Sequence, residues 1–179
     1  MRARTIFRGG LFVLLLAVLG CLPATRETHV DSGRVRVYFS PRGGAEEAIV
    51  TEIDHAATEI LVQAYTFTNK DIIAALRRAA KAGVAVRLIL DKSCASEYEG
   101  SQAKAARSIG PTFIDAEHAI AHNKVMIIDG VRVITGSFNF TNAAEDKNAE
   151  NLLILDSPEL AAIYRDNWKN HQGHSEAYK

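Results

Sequence analysis

The chain reads as an α/β protein, with one domain over residues 34–179 in which helices sandwich a mixed β-sheet. Three observations predict it. Short β-branched runs alternate with helical stretches through the first half, and a hairpin follows. Several of those runs are apolar on both faces, as strands covered by helices on both sides must be. About 155 residues remain after an apolar leader of 24, enough for a single domain with a core.

In chain order, Arg34–Phe39 is the first predicted strand. Residues 45–57 then place Ala48, Ile49, Glu52, Ile53 and Ala56 at near-helical spacing. Ile60–Phe67 is a strand rich in β-branched and aromatic residues. In 71–82, Ile72, Ile73, Leu76 and Ala79 form an apolar stripe, with Arg77, Arg78 and Lys81 elsewhere and Gly83 as a stop. Val84–Leu90 is a strand, 96–109 a weaker helix, and Thr112–Ile114 a short strand. Lys124–Ile128 and Val131–Thr135 flank Asp129-Gly130, a hairpin signal because a type I′ turn needs positive φ at both central residues. Asn151–Leu155 is the last predicted strand. Pro158 opens a helix over 158–170, with Leu160, Ile163, Tyr164 and Trp168 as its core stripe. The tail from His171 to Lys179 is expected to fray.

The N-terminus is an address. Arg2, Arg4 and Arg8 precede an apolar run from Leu11 to Leu22, too short for a confident membrane span. Residues 1–24 therefore suit a secretory signal peptide, and 25–33 a polar linker. Val18-Leu19-Gly20-Cys21 also looks like a bacterial lipoprotein cleavage site, which makes Cys21 a candidate for lipidation. Cleavage near Ala24 and an uncleaved anchor are the alternatives. The expected location is outside the cytoplasm: periplasmic, secreted, or lipid-anchored to the outer membrane. Beyond position 21 the one cysteine is Cys94, so no intrachain disulfide is expected.

Charge argues for a local site. The whole chain holds 21 basic and 21 acidic residues; the leader takes three arginines and no acid, which leaves 18 against 21. A basic footprint for avid nonspecific nucleic-acid binding is absent. Positive potential must come from Lys124, with Lys92, Lys147 and Arg42 as further contributors.

The chemistry concentrates in His122-Asn123-Lys124, followed by Asp129 and by Gly136-Ser137-Phe138-Asn139-Phe140-Thr141. A neutral imidazole can attack phosphorus, and an imidazolium can protonate a leaving alkoxide. A lysine stabilises oxygens that become more negative in the transition state. With a two-residue loop, Ile128 would face Val131, Met126 would face Val133, Lys124 would face Thr135 and His122 would face Ser137. His122, Lys124 and Ser137 would then share one face. A bulge before Ser137 would break that register. Asp129 completes the His-x-Lys-x-x-x-x-Asp pattern and is kept among the catalytic candidates. Its place at the turn, away from the His122 end, is equally that of an ordinary turn aspartate.

These residues resemble the phospholipase D superfamily, most of all its small bacterial endonucleases with one such motif per chain. The resemblance extends to Tyr38-Phe39-Ser40-Pro41, Ala64-Tyr65-Thr66-Phe67-Thr68 with Asp71-Ile72, Ala82-Gly83-Val84, Leu90-Asp91, Lys147-Asn148-Ala149-Glu150-Asn151 and Trp168, covering about residues 35–178. It implies a phospholipase D-like fold, His122 as nucleophile and Lys124 as phosphate ligand. Ser137 and Asn139 would complete the phosphate pocket, and Glu150 would hold the other nitrogen of His122. From spacing alone, Glu150 is equally a surface strand carboxylate.

Two proton-handling groups are needed, and the chain has one His-x-Lys: His29, His55, His118, His171 and His174 all lack a lysine two places on. The resemblance thus implies a homodimer with both His122 side chains at one phosphate. His118 is close enough in sequence to line the entrance. No cofactor is expected, and no metal, since no Cys-x-x-Cys or His-Glu-x-x-His spacing occurs. The leading expectation is a metal-independent endonuclease cleaving DNA, with RNA as a further substrate. The alternatives are a phospholipase D or cardiolipin hydrolase, put beside membrane by the N-terminal apolar segment or by a lipid on Cys21, and a non-catalytic nucleic-acid or lipid-binding module.

Overall fold

The computed structural model describes residues 33–95 and 100–179. The leader, Cys21 and linker residues 25–32 lie outside the described residues. The elements are β1 (Arg34–Ser40), α1 (Ala45–Asp54), β2 (Glu59–Ala64), α2 (Lys70–Lys81), β3 (Ala85–Asp91), a 3₁₀ turn (Lys92–Ala95), α3 (Gly100–Arg107), β4 (Thr112–Asp115), β5 (Lys124–Ile128), β6 (Arg132–Gly136), α4 (Asn142–Asp146), β7 (Glu150–Asp156), α5 (Pro158–His174) and β8 (Glu176–Ala177). They form one mixed sheet of order β1-β7-β6-β5-β2-β3-β4-β8. Strands β2, β3 and β4 run parallel, and the remaining pairs are antiparallel.

Alternation sorts the side chains into two layers. Ile60, Val62, Leu88, Met126, Ile128, Ile134 and Ile154 face the main core under α1 and α2. Leu61, Ile89, Val125, Ile127 and Val133 face Trp168 and Ala161 of α5. The Trp168 ring packs as its stripe predicts, and its indole N–H donates to the Val62 carbonyl at 2.9 Å. Helix starts follow their caps: Asn69 accepts from Ile72 N at 2.9 Å, and Ser157, just before Pro158, accepts from Leu160 N at 3.2 Å. Among the described residues, no helix is long and apolar enough to cross a membrane.

Coverage is uneven. Among the described residues no helix covers the α5 face near the β1 edge, and Val35, Val37 and Phe39 stand exposed on one side of β1.

Three expectations change. First, the hairpin register moves by one: Ile128 pairs with Arg132, Met126 with Ile134 and Val125 with Thr135. The turn does have positive φ at Asp129 (53°) and Gly130 (66°), and Val131 N donates to Ile128 O at 3.1 Å. But the Val131 carbonyl accepts from Ser157 N at 2.9 Å, so Val131 leaves the ladder as a third loop residue. His122 and Ser137 are therefore not cross-strand partners. Second, β2 ends at Ala64 rather than Phe67, because the chain turns to cap α2; Phe67 makes only an isolated bridge to Phe140. Third, the tail does not fray. Helix α5 continues to His174, β8 pairs with β4, and Tyr178 N donates to Thr112 O at 2.9 Å.

Candidate active site

The topology brings five strand ends together. Ala64, the last residue of β2, pairs with Lys124, the first of β5. Gly136 at the end of β6 pairs with Leu152 near the start of β7, and Ser40 at the end of β1 pairs with Glu150. Every antiparallel crossing returns the chain to this edge, so His122, Lys124, Ser137, Asn139 and Glu150 gather at one end of the sheet.

His122 is exposed, and its ring packs against Tyr65 with centroids 4.6 Å apart. Among the described residues that ring makes no hydrogen bond, so both nitrogens are open to a substrate. Lys124 is buried. Its Nζ donates to the His122 carbonyl at 2.7 Å and lies 5.1 Å from the Tyr65 ring centroid. Burial lowers the pKa of this ammonium from its ordinary value, and the charge of Glu150 acts in the opposite direction. One N–H of Lys124 is committed and two are left, which makes it a fixed cation at the floor of the site.

Ser137 sits where β6 leaves regular geometry. Gly136 has φ of 154°, and a Cβ there would meet the Asn151 carbonyl oxygen at 2.2 Å. Only glycine passes that point. Ser137 then bonds to β7: its N donates to Asn151 O, and its hydroxyl accepts from Asn151 N, both at 3.1 Å. That hydroxyl donates to Glu150 Oε2 at 2.6 Å. The other Glu150 oxygen accepts from Asn148 Nδ2 at 3.0 Å. The expected bond from Glu150 to His122 is absent among the described residues; the carboxylate holds Ser137 and Asn148 instead. Asn139 Oδ1 accepts from Thr66 Oγ1 at 3.1 Å, which leaves the amide N–H donors for a substrate oxygen.

Asp129 is not brought to this cluster. It lies beyond the far end of β5, where Oδ1 accepts from Thr58 N (2.7 Å), Thr58 Oγ1 (2.8 Å) and Glu59 N (3.0 Å), and Oδ2 from Ala57 N (2.9 Å). Those bonds tie the hairpin tip to the loop before β2. His118 does not line an entrance as a lone surface residue; its Nδ1 is 3.1 Å from Asp115 Oδ1. Lys92 donates to the His118 carbonyl at 2.9 Å. Arg42 and Lys147 are exposed.

Tyr65, Thr66 and Asn148 also belong to the site. Tyr65 orients the His122 ring, and nothing in its strand-end position distinguishes it from a core aromatic. Outside the site, Asp115, His118, His171 and His174 form a group that can hold a metal, with ligand atoms that all lie within 4.8 Å of one another. The signal was present as two i,i+3 pairs, Asp115-x-x-His118 and His171-x-x-His174, far apart in the chain.

An exposed imidazole and a buried ammonium, rimmed by amide, hydroxyl and carboxylate, make a set of groups suited to phosphodiester chemistry. Residues 49–171 match the family described as "Cardiolipin synthase, PLD-like domain". Phospholipase D of Rickettsia conorii is 40% identical over 145 residues, spanning 81% of this chain and 72% of that protein. Mitochondrial cardiolipin hydrolase of Danio rerio is 31% identical over 115 residues, 62% of this chain and 49% of that protein. The crystal structure of the phospholipase D family member Nuc from Salmonella typhimurium matches with a TM-score of 0.77 at 37% identity, covering 82% of this chain and 99% of Nuc. The chain belongs to the phospholipase D superfamily, and its activity class is phosphodiesterase.

Proposed function

We propose that the protein is a metal-independent endonuclease that cleaves DNA, with RNA as a further substrate, in a site shared by two copies of the chain. The observation that carries this is the half-site itself. One exposed His122 has a fixed cation nearby, and among the described residues no second imidazole stands beside it. The neutral imidazole of one protomer attacks phosphorus and forms a P–N bond. The leaving oxygen departs with a proton from the imidazolium of the partner subunit's His122. Water then attacks the phosphohistidine and gives its proton back to the partner subunit's His122, and the P–N bond breaks. Lys124 and the Asn139 amide stabilise the charged oxygens in both steps. Ser137 and Glu150 shape the rim; the Ser137 proton is committed to Glu150 in the free site.

Exposed Val35, Val37 and Phe39 support a dimer. They form an apolar strip on the edge strand that ends beside Glu150, where Phe39 is 65% exposed and pairs with Asn151. A second copy on that strip would sit next to the site. Export through the N-terminal leader, with or without lipid on Cys21, belongs to the same proposal.

Two observations favour a phospholipid substrate as the second reading. Ile120, two residues before His122, is 56% exposed, and the 40%-identical relative is named a phospholipase D. The deciding experiment incubates the mature protein, in chelator, with plasmid, single-stranded DNA, RNA and cardiolipin vesicles. Nicked plasmid supports the endonuclease. Hydrolysis of cardiolipin alone assigns the lipid reading, and turnover of none of them, either in chelator or with Zn²⁺ restored, sinks both.

A further inference from the structure

Three histidines outside the active site converge on one carboxylate. Asp115 ends β4, and its side chain is fully buried. His171 Nδ1 lies 2.7 Å from its Oδ2, His174 Nε2 3.4 Å from the same oxygen, and His118 Nδ1 3.1 and 3.2 Å from its two oxygens. The three ring centroids stand 4.8–5.2 Å apart. Among the described residues no lysine or arginine forms an ion pair with Asp115. A buried carboxylate is costly without a positive partner.

We propose that Asp115, His118, His171 and His174 form a structural site for a divalent cation of the zinc class. Three nitrogens and one oxygen are a common tetrahedral donor set, with bonds of about 2.0–2.2 Å. A tetrahedron of that size sets donors roughly 3.3–3.5 Å apart. The His118 and His174 contacts at Asp115 (3.1–3.4 Å) are already near that spacing, the His171 contact at 2.7 Å is shorter, and the donor atoms, all within 4.8 Å of one another, would have to close by up to about 1.5 Å on binding. The supports are rigid. His171 and His174 are one turn apart on α5, and Asp115 is the last residue of a strand inside the sheet. Glu117 N donates to Asp115 Oδ1 at 3.2 Å, which orients the carboxylate from outside the donor set.

The site has a consequence for the chain around it. His118 lies in the segment between β4 and β5 that delivers His122. Asp91 already holds that segment by accepting from Ala121 N at 2.7 Å. A cation joining His118 to α5 fixes its other end. The metal is thereby a clamp on the approach to the active site, and it takes no part in phosphoryl chemistry. The inference does not depend on whether nucleic acid or lipid is the substrate.

The test uses untagged mature protein, stripped with chelator and dialysed. Zn²⁺ is titrated calorimetrically, Co²⁺ is followed by its visible tetrahedral bands, and melting is recorded with and without each metal. The proposal expects one equivalent per chain, tetrahedral Co²⁺ bands, and a Tm raised by roughly 5–10 °C at a hundredfold excess over Kd. His171→Ala should weaken Zn²⁺ by at least about 100-fold. His174→Gln, at a more exposed position, supplies a second variant if the first fails to fold. Absence of stoichiometric binding to the folded wild type, or binding unchanged in both variants, overturns the site and leaves a hydrogen-bonded Asp–His network.

Discussion

The two ends of one hairpin, β5–β6, are built from similar residues and do opposite things. At the open end His122 and Ser137 are exposed, and the His122 ring packs against Tyr65 and makes no hydrogen bond among the described residues. At the turn, Asp129 is saturated by four donors from residues 57–59. Both ends belong to the same His-x-Lys-x-x-x-x-Asp pattern, yet Asp129 is about 17 Å along the strand from Lys124. A residue can belong to a linear motif because the fold needs it, while its neighbours in the motif do the chemistry. What separates the two cases is whether the polar atoms are already spent on the protein.

That contrast is broken most directly at His122. Replacing it with alanine should lower turnover by about 10⁴-fold or more, as removal of a nucleophile does. Because the ring is exposed and unbonded, Tm should stay within about 2 °C. Retained turnover would end the nucleophile assignment. Mixing this variant one-to-one with wild type, with random re-pairing, should leave roughly a quarter of the activity if both imidazoles of a pair are needed. Half the activity would mean that each chain works alone.

Lys124→Met sharpens the open end further. The ammonium is buried at the floor of the site, so its loss should cost about 10²–10³-fold in kcat, the scale of one removed electrostatic partner. Steady-state kinetics alongside a melting curve would separate this from unfolding, and a change confined to KM would make Lys124 a substrate anchor only.

How far the sequence announced this arrangement depends on how local the cause was. Strand and helix order was legible because period-two and period-3.6 patterns are local. Asp129-Gly130 announced the turn through its positive φ. The register was not legible, because Val131 is drawn out of the ladder by Ser157 N, a bond to the start of α5. The short elements α4 and β8 carry too few residues to show a period. His122 and Lys124 stood in one tripeptide and were visible at once. The Asp115 corner was not, since Asp115 and His171 are 56 positions apart and meet only when α5 docks on the sheet. The expected Glu150–His122 bond came from resemblance rather than geometry, and in this chain Ser137 and Asn148 hold that carboxylate.

The smallest expected effect lies at the turn, and it inverts the result at His122. Asp129→Ala should leave kcat intact and cost about 1–2 kcal/mol of stability, since it frees backbone donors that are partly exposed to water. The cost should depend on pH in a defined direction. Partial burial alone would raise the Asp129 carboxyl, but the N–H donors of Ala57, Glu59 and Thr58 and the Thr58 hydroxyl together outweigh it and hold the pKa below its ordinary value. A carboxylate with a depressed folded pKa contributes fully above its unfolded value, near about 3.9, and loses that contribution as pH falls through the folded one. The Tm gap between wild type and Asp129→Ala should therefore be constant from neutral pH down to about 5 and should shrink below about 4. A gap that is flat through the acid range would detach the turn's stability from this carboxylate's charge. A fall in kcat at neutral pH, with the fold intact, would return Asp129 to the active site.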